Sequence, residues 1–404
     1  MKILLIDVNC KNSSTGKIVY DLYQGINKET NCEAAICYGR GPLIKEKNIY
    51  KFGIDLETNI HAFLTRISGL TGCFSFFSTR RLIKYINEFK PDIIHIHELH
   101  AYFVNIKSLI EFLKKKNIPI IWTFHCEFMY TGKCGVSYEC QQYITGCGKC
   151  PHLEKYPKVL FFDFTHYMWK QKKTLLQYYN NIIIITPSQW LADKVKQSFL
   201  RTKNIKIIHN GIDTSIFNKC ATKEELKKEL KIKENKIILS VASHITSDSN
   251  KGAHYIYQLA KEFINLGVHF ILVGADEKSI IRKENITIIP TIKDQKKLAR
   301  IYSGADAFLI CSKKENFPTT LIEAQCCGLP VCGFDVGGIK ETIISNSYLC
   351  QFGDIQMLKK NLIKAMNDVY DASYALHFFS KSRMLDEYFK LYRYWDKVGK
   401  KNGE

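Results

Sequence analysis

No stretch of about twenty uncharged apolar residues occurs in this 404-residue chain, so nothing in it predicts a membrane-spanning helix. The N-terminus, MKILLIDVNC, is one short apolar run followed by polar KNSSTGK. It has no long apolar core and no cleavage site, and reads as a first strand rather than a secretory leader. No internal repeat or low-complexity segment stands out. No G-x-G-x-x-G follows the first strand, which argues against a nicotinamide dehydrogenase. These absences predict a cytoplasmic protein, where fifteen cysteines need an explanation other than disulfides.

Acidic residues are also short, 39 against 58 lysines and arginines, for a formal net charge of +19. Basic runs lie at Arg80-Arg81, at Lys114 to Lys116, and at Lys170, Lys172 and Lys173. Nucleic acid and an anionic membrane surface are the two partners such a balance suits. Residues 160–181 interleave Phe161, Phe162, Phe164, Tyr167, Met168 and Trp169 with lysines, the composition of an interfacial helix. An ordinary amphipathic helix packed on a sheet has the same periodicity.

With 46% hydrophobic residues the chain can bury two cores. Strand-like apolar runs alternate with helical ones, which predicts parallel α/β sheets. In the first half the expected strands are 2–7, 33–38, 92–97, 118–124, 182–186 and 206–209, with helices such as 79–89 and 105–116. In the second half they are 237–241, 270–273, 286–289, 307–311 and 331–334, with helices at 253–266, 295–302 and 318–327. The junction falls near 210–235, where NGIDTSIFNK gives way to the charged KEELKKELKIKENK. The expected division is 1–210 and 211–377, two doubly wound domains, followed by one aromatic-rich C-terminal helix within 378–404.

Glu315 and Glu323 lie in SKKENFPTTLIEAQCCGLPVCGFDVGGIKE. Asn316, Pro318, Thr319 and Thr320 supply helix-start signals, Leu321 and Ile322 continue the helix, and Gly328 and Pro330 stop it. A helix opening with Thr-Thr offers unpaired N–H groups that attract phosphate. A carboxylate two turns inside can accept hydrogen bonds from a sugar diol. Together they suit a nucleotide sugar.

This segment resembles the donor site of the retaining glycosyltransferases of family four. The resemblance runs from the first strand to Glu341, and implies the GT-B fold, two Rossmann-like domains facing a cleft. A subgroup acting in colanic acid and other exopolysaccharide synthesis is similar in PDIIHIHELH, TPSQWLADKVKQSFL and IIHNGID. The resemblance implies that Glu315 contacts the donor sugar, Glu323 holds the nucleotide ribose, and the backbone from Asn316 through Thr319, Thr320 and Leu321 meets the diphosphate. It also has the C-terminal helix cross back to the first domain.

Lys251, in the loop after the first strand of the second half, resembles the lysine that stabilises the leaving diphosphate. Many relatives add an arginine earlier in that loop; here the residues are Ala242-Ser243-His244. The resemblance implies catalysis without a cofactor or divalent ion, and no DxD pair stands where a metal-dependent transferase wants one. Gly16, in the loop after the first strand, corresponds to a glycine-rich loop near the donor or acceptor, although a helix N-cap explains it equally. His125 ends the expected strand 118–124, and the resemblance puts it beside the transferred sugar. Relatives usually follow it with Asp, where this chain has Cys126 and then Glu127. His95, His97 and His100 invite a metal reading, but it needs convergent ligands from elsewhere.

Cys134, Cys140, Cys147 and Cys150 have the spacing C-x5-C-x6-C-x2-C amid glycines. Four thiolates around a structural zinc is the expected reading; an iron–sulfur cluster or free buried cysteines are the alternatives. The expected partners are a UDP- or GDP-sugar donor, a polyprenyl-linked or growing oligosaccharide acceptor, and the inner face of the cytoplasmic membrane, with no nucleic acid. A catalytically degenerate nucleotide-sugar binder and a zinc-knuckle nucleic-acid-binding protein are the rival readings.

Overall fold

The structure, a computed structural model, describes residues 1–344 and 348–401. It forms two compact units, Met1–His209 with Leu385–Glu404, and Asn210–Met384.

The first unit is built on a seven-stranded parallel sheet: β1 (Lys2–Asp7), β2 (Glu33–Tyr38), β3 (Ile49–Lys51), β4 (Ile93–Ile96), β5 (Ile120–Thr123), β6 (Ile182–Thr186) and β7 (Asn204–Ile207). The spatial order is β3-β2-β1-β4-β5-β6-β7. Strands such as IIIIT in β6 are buried throughout, as expected of a parallel sheet covered by helices on both faces. The second unit has β8 (Lys236–Val241), β9 (Val268–Ala275), β10 (Ile281–Lys283), β11 (Ile286–Pro290), β12 (Ala307–Ile310), β13 (Val331–Phe334) and β14 (Tyr348–Cys350), in the order β10-β11-β9-β8-β12-β13-β14. Only the short edge strand β10 runs antiparallel. Strand order reverses between β1 and β4 and again between β8 and β12. Open α/β sheets bind ligands at the carboxyl ends of the strands beside such reversals.

The short strands β3, β10 and β14 have no counterpart among the expected elements. Each is three residues long, too short to register as an apolar run. Residues 160–181 are not one helix. The helix is Thr165–Leu176, and Met168, Trp169, Lys172, Leu175 and Leu176 are buried in it. The aromatics exposed to solvent are those of the preceding segment, Phe161, Phe162 and Phe164, with Tyr167. Lys172, read as part of a surface basic run, is internal: its ammonium donates to the carbonyls of Phe128 (2.6 Å) and Thr131 (3.1 Å).

The expected C-terminal helix is Lys381–Lys401, preceded by a separate short helix, Ser373–Phe378. Ile212, from the NGID motif, donates to the Phe379 carbonyl and accepts from Lys381 N–H, both at 2.8 Å. That pairing separates the two helices, and Phe379 is fully buried in the second unit's core. The chain therefore passes to the first unit at Leu385, later than residue 378. There Tyr388 and Tyr392 are buried against His95 and Thr123.

Candidate active site

In the first unit, three loops meet at the carboxyl ends of β1, β4 and β5. Gly16 lies in the helix Ser14–Ile26, where its N–H donates 2.9 Å to Oγ of the N-cap Ser13. A Cβ here would stand 3.1–3.2 Å from Ser13 Oγ, the Asn9 carbonyl and Lys11 N, so the glycine lets the helix approach the β1 loop closely. Its amide is committed to the cap.

His125 follows β5. Its Nε2 lies 3.0 Å from His97 Nδ1, and its backbone N–H donates to Glu98 Oε1 at 3.1 Å. Burial lowers the His125 pKa, with Glu98 opposing, so the ring is held neutral. His95 is fully occupied between Tyr392 Oη (2.7 Å) and Thr123 Oγ1 (2.8 Å), so it does not serve as a metal ligand.

The carboxylate at this edge is Glu98, which the sequence reading did not single out. Its Oε2 accepts from Cys126 Sγ at 3.1 Å and lies 3.0 Å from His100 Nε2. Burial alone would raise its pKa, but His100 and the hydrogen bonds bring it down to about 2. Glu127 is turned elsewhere: its Oε2 takes hydrogen bonds from Ser137 and, at 2.9 Å, from Lys194. Glu127 therefore pins the cysteine-rich loop and leaves the place beside His125 to Glu98. The signal for Glu98 was available in the sequence, since HIHELH places it just past the end of β4, beside β5. Asp7, at the end of β1, is buried and accepts from Glu98 N–H at 3.1 Å; burial pushes its pKa up to about 7.

In the cysteine-rich loop the interaction between Cys134 and Cys150 lowers the Cys150 pKa and raises that of Cys134, and Cys147 lies within electrostatic reach of Cys134, Cys140 and Cys150. Cys147 accepts from Gly132 N–H at 3.1 Å. A tetrahedral zinc site needs its four sulfurs within about 4 Å of one another. Among the described residues, the group whose ligand atoms converge within 4.8 Å is Glu98, His100 and Cys126. The four cysteines as placed do not fit a closed zinc site, and no step below runs through a metal. The loop is instead tied down by Lys133, whose buried ammonium donates 2.8 Å to the carbonyls of Lys155 and Pro157.

In the second unit the structure brings Lys251 and Glu315 together. Lys251 ends a single turn, Ser249–Lys251, after β8, and its Nζ lies 2.8 Å from Glu315 Oε1. Gly252 has φ +71°, and a Cβ there would stand 2.0 Å from the Cys311 carbonyl oxygen. Gly337, φ +62°, lies equally close over the Glu315 carbonyl, which also accepts from Gly338 N–H at 2.9 Å. Two close glycine contacts thus hold the lysine turn and the glutamate loop against the carboxyl ends of β12 and β13.

Glu323 lies in the helix Thr319–Cys326 and is buried, 7% exposed. Tyr302, fully buried, donates its hydroxyl to Glu323 Oε2 at 3.0 Å. This tyrosine was missed, since an aromatic at helical spacing reads as core. The helix begins after Pro318 with no side-chain cap, and Asn316, Thr319 and Thr320 are half-buried there. Leu321 differs: its side chain is core, and its N–H is taken by the Pro318 carbonyl at 3.2 Å. The free end of the helix is therefore Thr319 and Thr320. His244, in the neighbourhood where the resemblance leads one to expect an arginine, is hydrogen-bonded to Asp276.

Two α/β units, each with its charged groups at the carboxyl ends around a strand-order reversal, are those of the GT-B fold. The family described as Glycosyltransferase Family 4 matches residues 19–216, and that described as Glycosyl transferases group 1 matches residues 222–376. The chain belongs to the family-four glycosyltransferases. It is 28% identical over 322 residues to an Escherichia coli K12 protein named as a colanic acid biosynthesis glycosyl transferase, WcaC, covering 75% of this chain and 76% of that one. Its fold is similar to that of sucrose-phosphate synthase from Thermosynechococcus elongatus, with TM-score 0.71, 13% identity, and 98% and 100% of the two chains covered. It is also similar to Anabaena Alr3699/HepE in complex with UDP-glucose, with TM-score 0.65, 14% identity, and 97% and 99% covered.

Proposed function

We propose that this glycosyltransferase moves a sugar, with retention, from a nucleoside-diphosphate donor to a lipid-linked or growing oligosaccharide in bacterial surface polysaccharide synthesis. The observation that carries the reading is the Lys251–Glu315 pair beside the uncapped helix at Thr319-Thr320. A cation and free amides suit a diphosphate, and a carboxylate suits the positive charge that develops on the sugar. The relationship to a colanic acid enzyme supports the polysaccharide setting, and the UDP-glucose complex of a protein with this fold supports a nucleotide-sugar donor.

In the proposed reaction the bond between the anomeric carbon and the β-phosphate oxygen breaks, and its electron pair stays on the phosphate. Lys251 and the Thr319 and Thr320 amides stabilise that charge in place of a metal ion. The acceptor hydroxyl attacks the same face of the sugar, and its proton passes to the departing phosphate. Glu323, oriented by Tyr302, holds the ribose diol. His125, neutral and backed by His97, hydrogen-bonds the sugar.

The basic first unit would meet an anionic membrane face through charge and exposed aromatics, without insertion. Among the described residues no helix is long and apolar enough to cross a membrane.

The test is a calorimetric titration with UDP, GDP and ADP and their common sugars. One nucleotide should bind selectively. Lys251→Ala and Glu323→Ala should lose that binding with the fold intact, while His125→Ala keeps it and loses turnover. Unchanged nucleotide affinity in Glu323→Ala would sink the site assignment.

A further inference from the structure

The first unit contains a cavity of about 600 Å³ that the reading above does not use. It lies at the carboxyl side of the sheet. Arg40 follows β2, Tyr102 comes from the loop after β4, and Glu154 to Lys158 come from the long connection after β5. The fourth wall is the helix Asp55–Ser68, through Thr58, Phe63 and Arg66. Gly41, next to Arg40, faces the β1 loop, where a Cβ on it would stand 3.6 Å from Asn9 Oδ1 and 3.7 Å from Asn12 Nδ2, so the cavity adjoins the edge that carries Gly16.

The lining is cationic. Arg40, Arg66 and Lys158 face one carboxylate, Glu154, and none of the three cations has an ion-pair partner among the described residues. Thr58, in the wall of the cavity, is 3% exposed, and its buried hydroxyl has no hydrogen-bond partner among the described residues. Ala101 and Tyr102 both have positive φ, +77° and +71°, a strained pair of non-glycine residues at the rim. Their position is enforced from behind. His61 and Ser75 form a buried relay, 2.8 and 2.9 Å, that ends on the Tyr102 carbonyl. Two guanidinium forks suit phosphate oxygens. The volume falls in the range of about 300–1,000 Å³ typical of whole small-molecule sites, well beyond a single phosphate.

One side of this cavity is apolar and open to solvent. Leu56, Ile60 and Phe63 recur on one face of the helix, and Phe63, which lines the cavity, is 62% exposed. The segment carrying Leu160, Phe161 and Phe162 is tied to the same helix end, where Leu160 N–H donates to the Arg66 carbonyl at 2.8 Å. Such a patch beside a cationic hollow has the chemistry of an amphiphile's binding site.

We propose that this cavity takes the diphosphate and first sugar of a polyisoprenoid-linked acceptor, with the hydrocarbon lying over Phe63, Ile60 and Leu56. The assignment rests on the transferase reading above. Tyr102 and Tyr156 supply rings for the sugar face, and Arg40 and Arg66 grip the diphosphate.

The probes are undecaprenyl diphosphate in mixed micelles, inorganic pyrophosphate, and phosphatidylglycerol vesicles, titrated against the whole protein. The double variant Arg40→Gln/Arg66→Gln changes two exposed side chains and should fold normally. It should weaken undecaprenyl diphosphate binding roughly tenfold or more, and by clearly more than it weakens vesicle binding. Phe63→Ser should weaken undecaprenyl diphosphate and leave pyrophosphate unchanged. Undiminished undecaprenyl diphosphate binding in the arginine variant, or an equal loss on vesicles, overturns the assignment. Nucleotide titration of the same samples separates the two readings. Binding of the lipid diphosphate without any nucleotide refutes the transferase and leaves the cavity standing, while normal nucleotide binding with no lipid diphosphate binding refutes the cavity alone.

Discussion

Glu315→Gln should bind the donor's nucleoside diphosphate more tightly than the unaltered protein, while losing sugar transfer. Lys251 Nζ lies 2.8 Å from Glu315 Oε1, and the two side chains are only 22% and 17% exposed. At an effective dielectric of about 20 this contact carries about 6 kcal/mol of gross Coulomb energy, much of it offset by desolvation of the two charges. A diphosphate has to draw Lys251 away from this carboxylate and approach a like charge. Neutralising Glu315 removes both obstacles. After screening, the gain is on the order of 1 kcal/mol, roughly fivefold in affinity. Turnover should fall by roughly a hundredfold or more, because the group facing the sugar's developing positive charge is gone. Calorimetry with UDP and GDP at low and high salt reads the first effect, and the gain should shrink as salt rises. The same substitution in a Lys251→Ala background should give little gain. Weaker binding by Glu315→Gln, or an equal gain without Lys251, would refute the competition.

Two further outcomes follow from buried groups. Tyr302→Phe removes the hydroxyl that donates 3.0 Å to Glu323. It should cost about 1–3 kcal/mol in urea unfolding and lower nucleotide affinity, since Glu323 loses a fixed orientation. His61 is fully buried, and burial lowers its pKa from 6.5 to about 4. The unfolded chain therefore binds the extra proton first, so this group's own contribution falls by up to about 3 kcal/mol as pH drops from 6.5 to 4, while Asp7, whose pKa burial raises to about 7, contributes with the opposite sign over the same range. Thermal melts of the protein and of His61→Gln across that range isolate this contribution: the variant should gain stability relative to the unaltered protein as pH falls from 6.5 to 4, and no pH-dependent difference between the two would refute it. His95, lowered to about 3 by burial, adds to the same slope.

The resemblance through Glu315, Glu323, Lys251 and the NGID motif was legible because those residues sit in local patterns. Helix signals around Pro318, a charged turn after a strand, and apolar runs broken by glycine are short-range features that a sequence carries by itself. The same holds for β1, β2, β6 and β13, whose burial on both faces demands an unbroken apolar run. Glu127 shows the limit. As the acidic residue nearest His125 in the chain it was the natural substitute for the missing Asp, yet its direction is fixed by Ser137 and Lys194, ten and sixty-seven residues away.

What the sequence determined alone was the fold class, the two-unit plan and the order of motifs, because strand and helix periodicity is local. What only the tertiary structure decided was which charges meet. The Lys251–Glu315 pair spans 64 residues, Tyr302 reaches Glu323 across 21, and Glu98 stands beside His125 because β4 and β5 are neighbours in the sheet. The loop that carries the four cysteines is likewise tied down through contacts far along the chain, Lys133 to the Pro157 carbonyl, Lys172 to that of Phe128, and Lys194 to Glu127. Charge pairing and burial are long-range properties, and no local pattern records them.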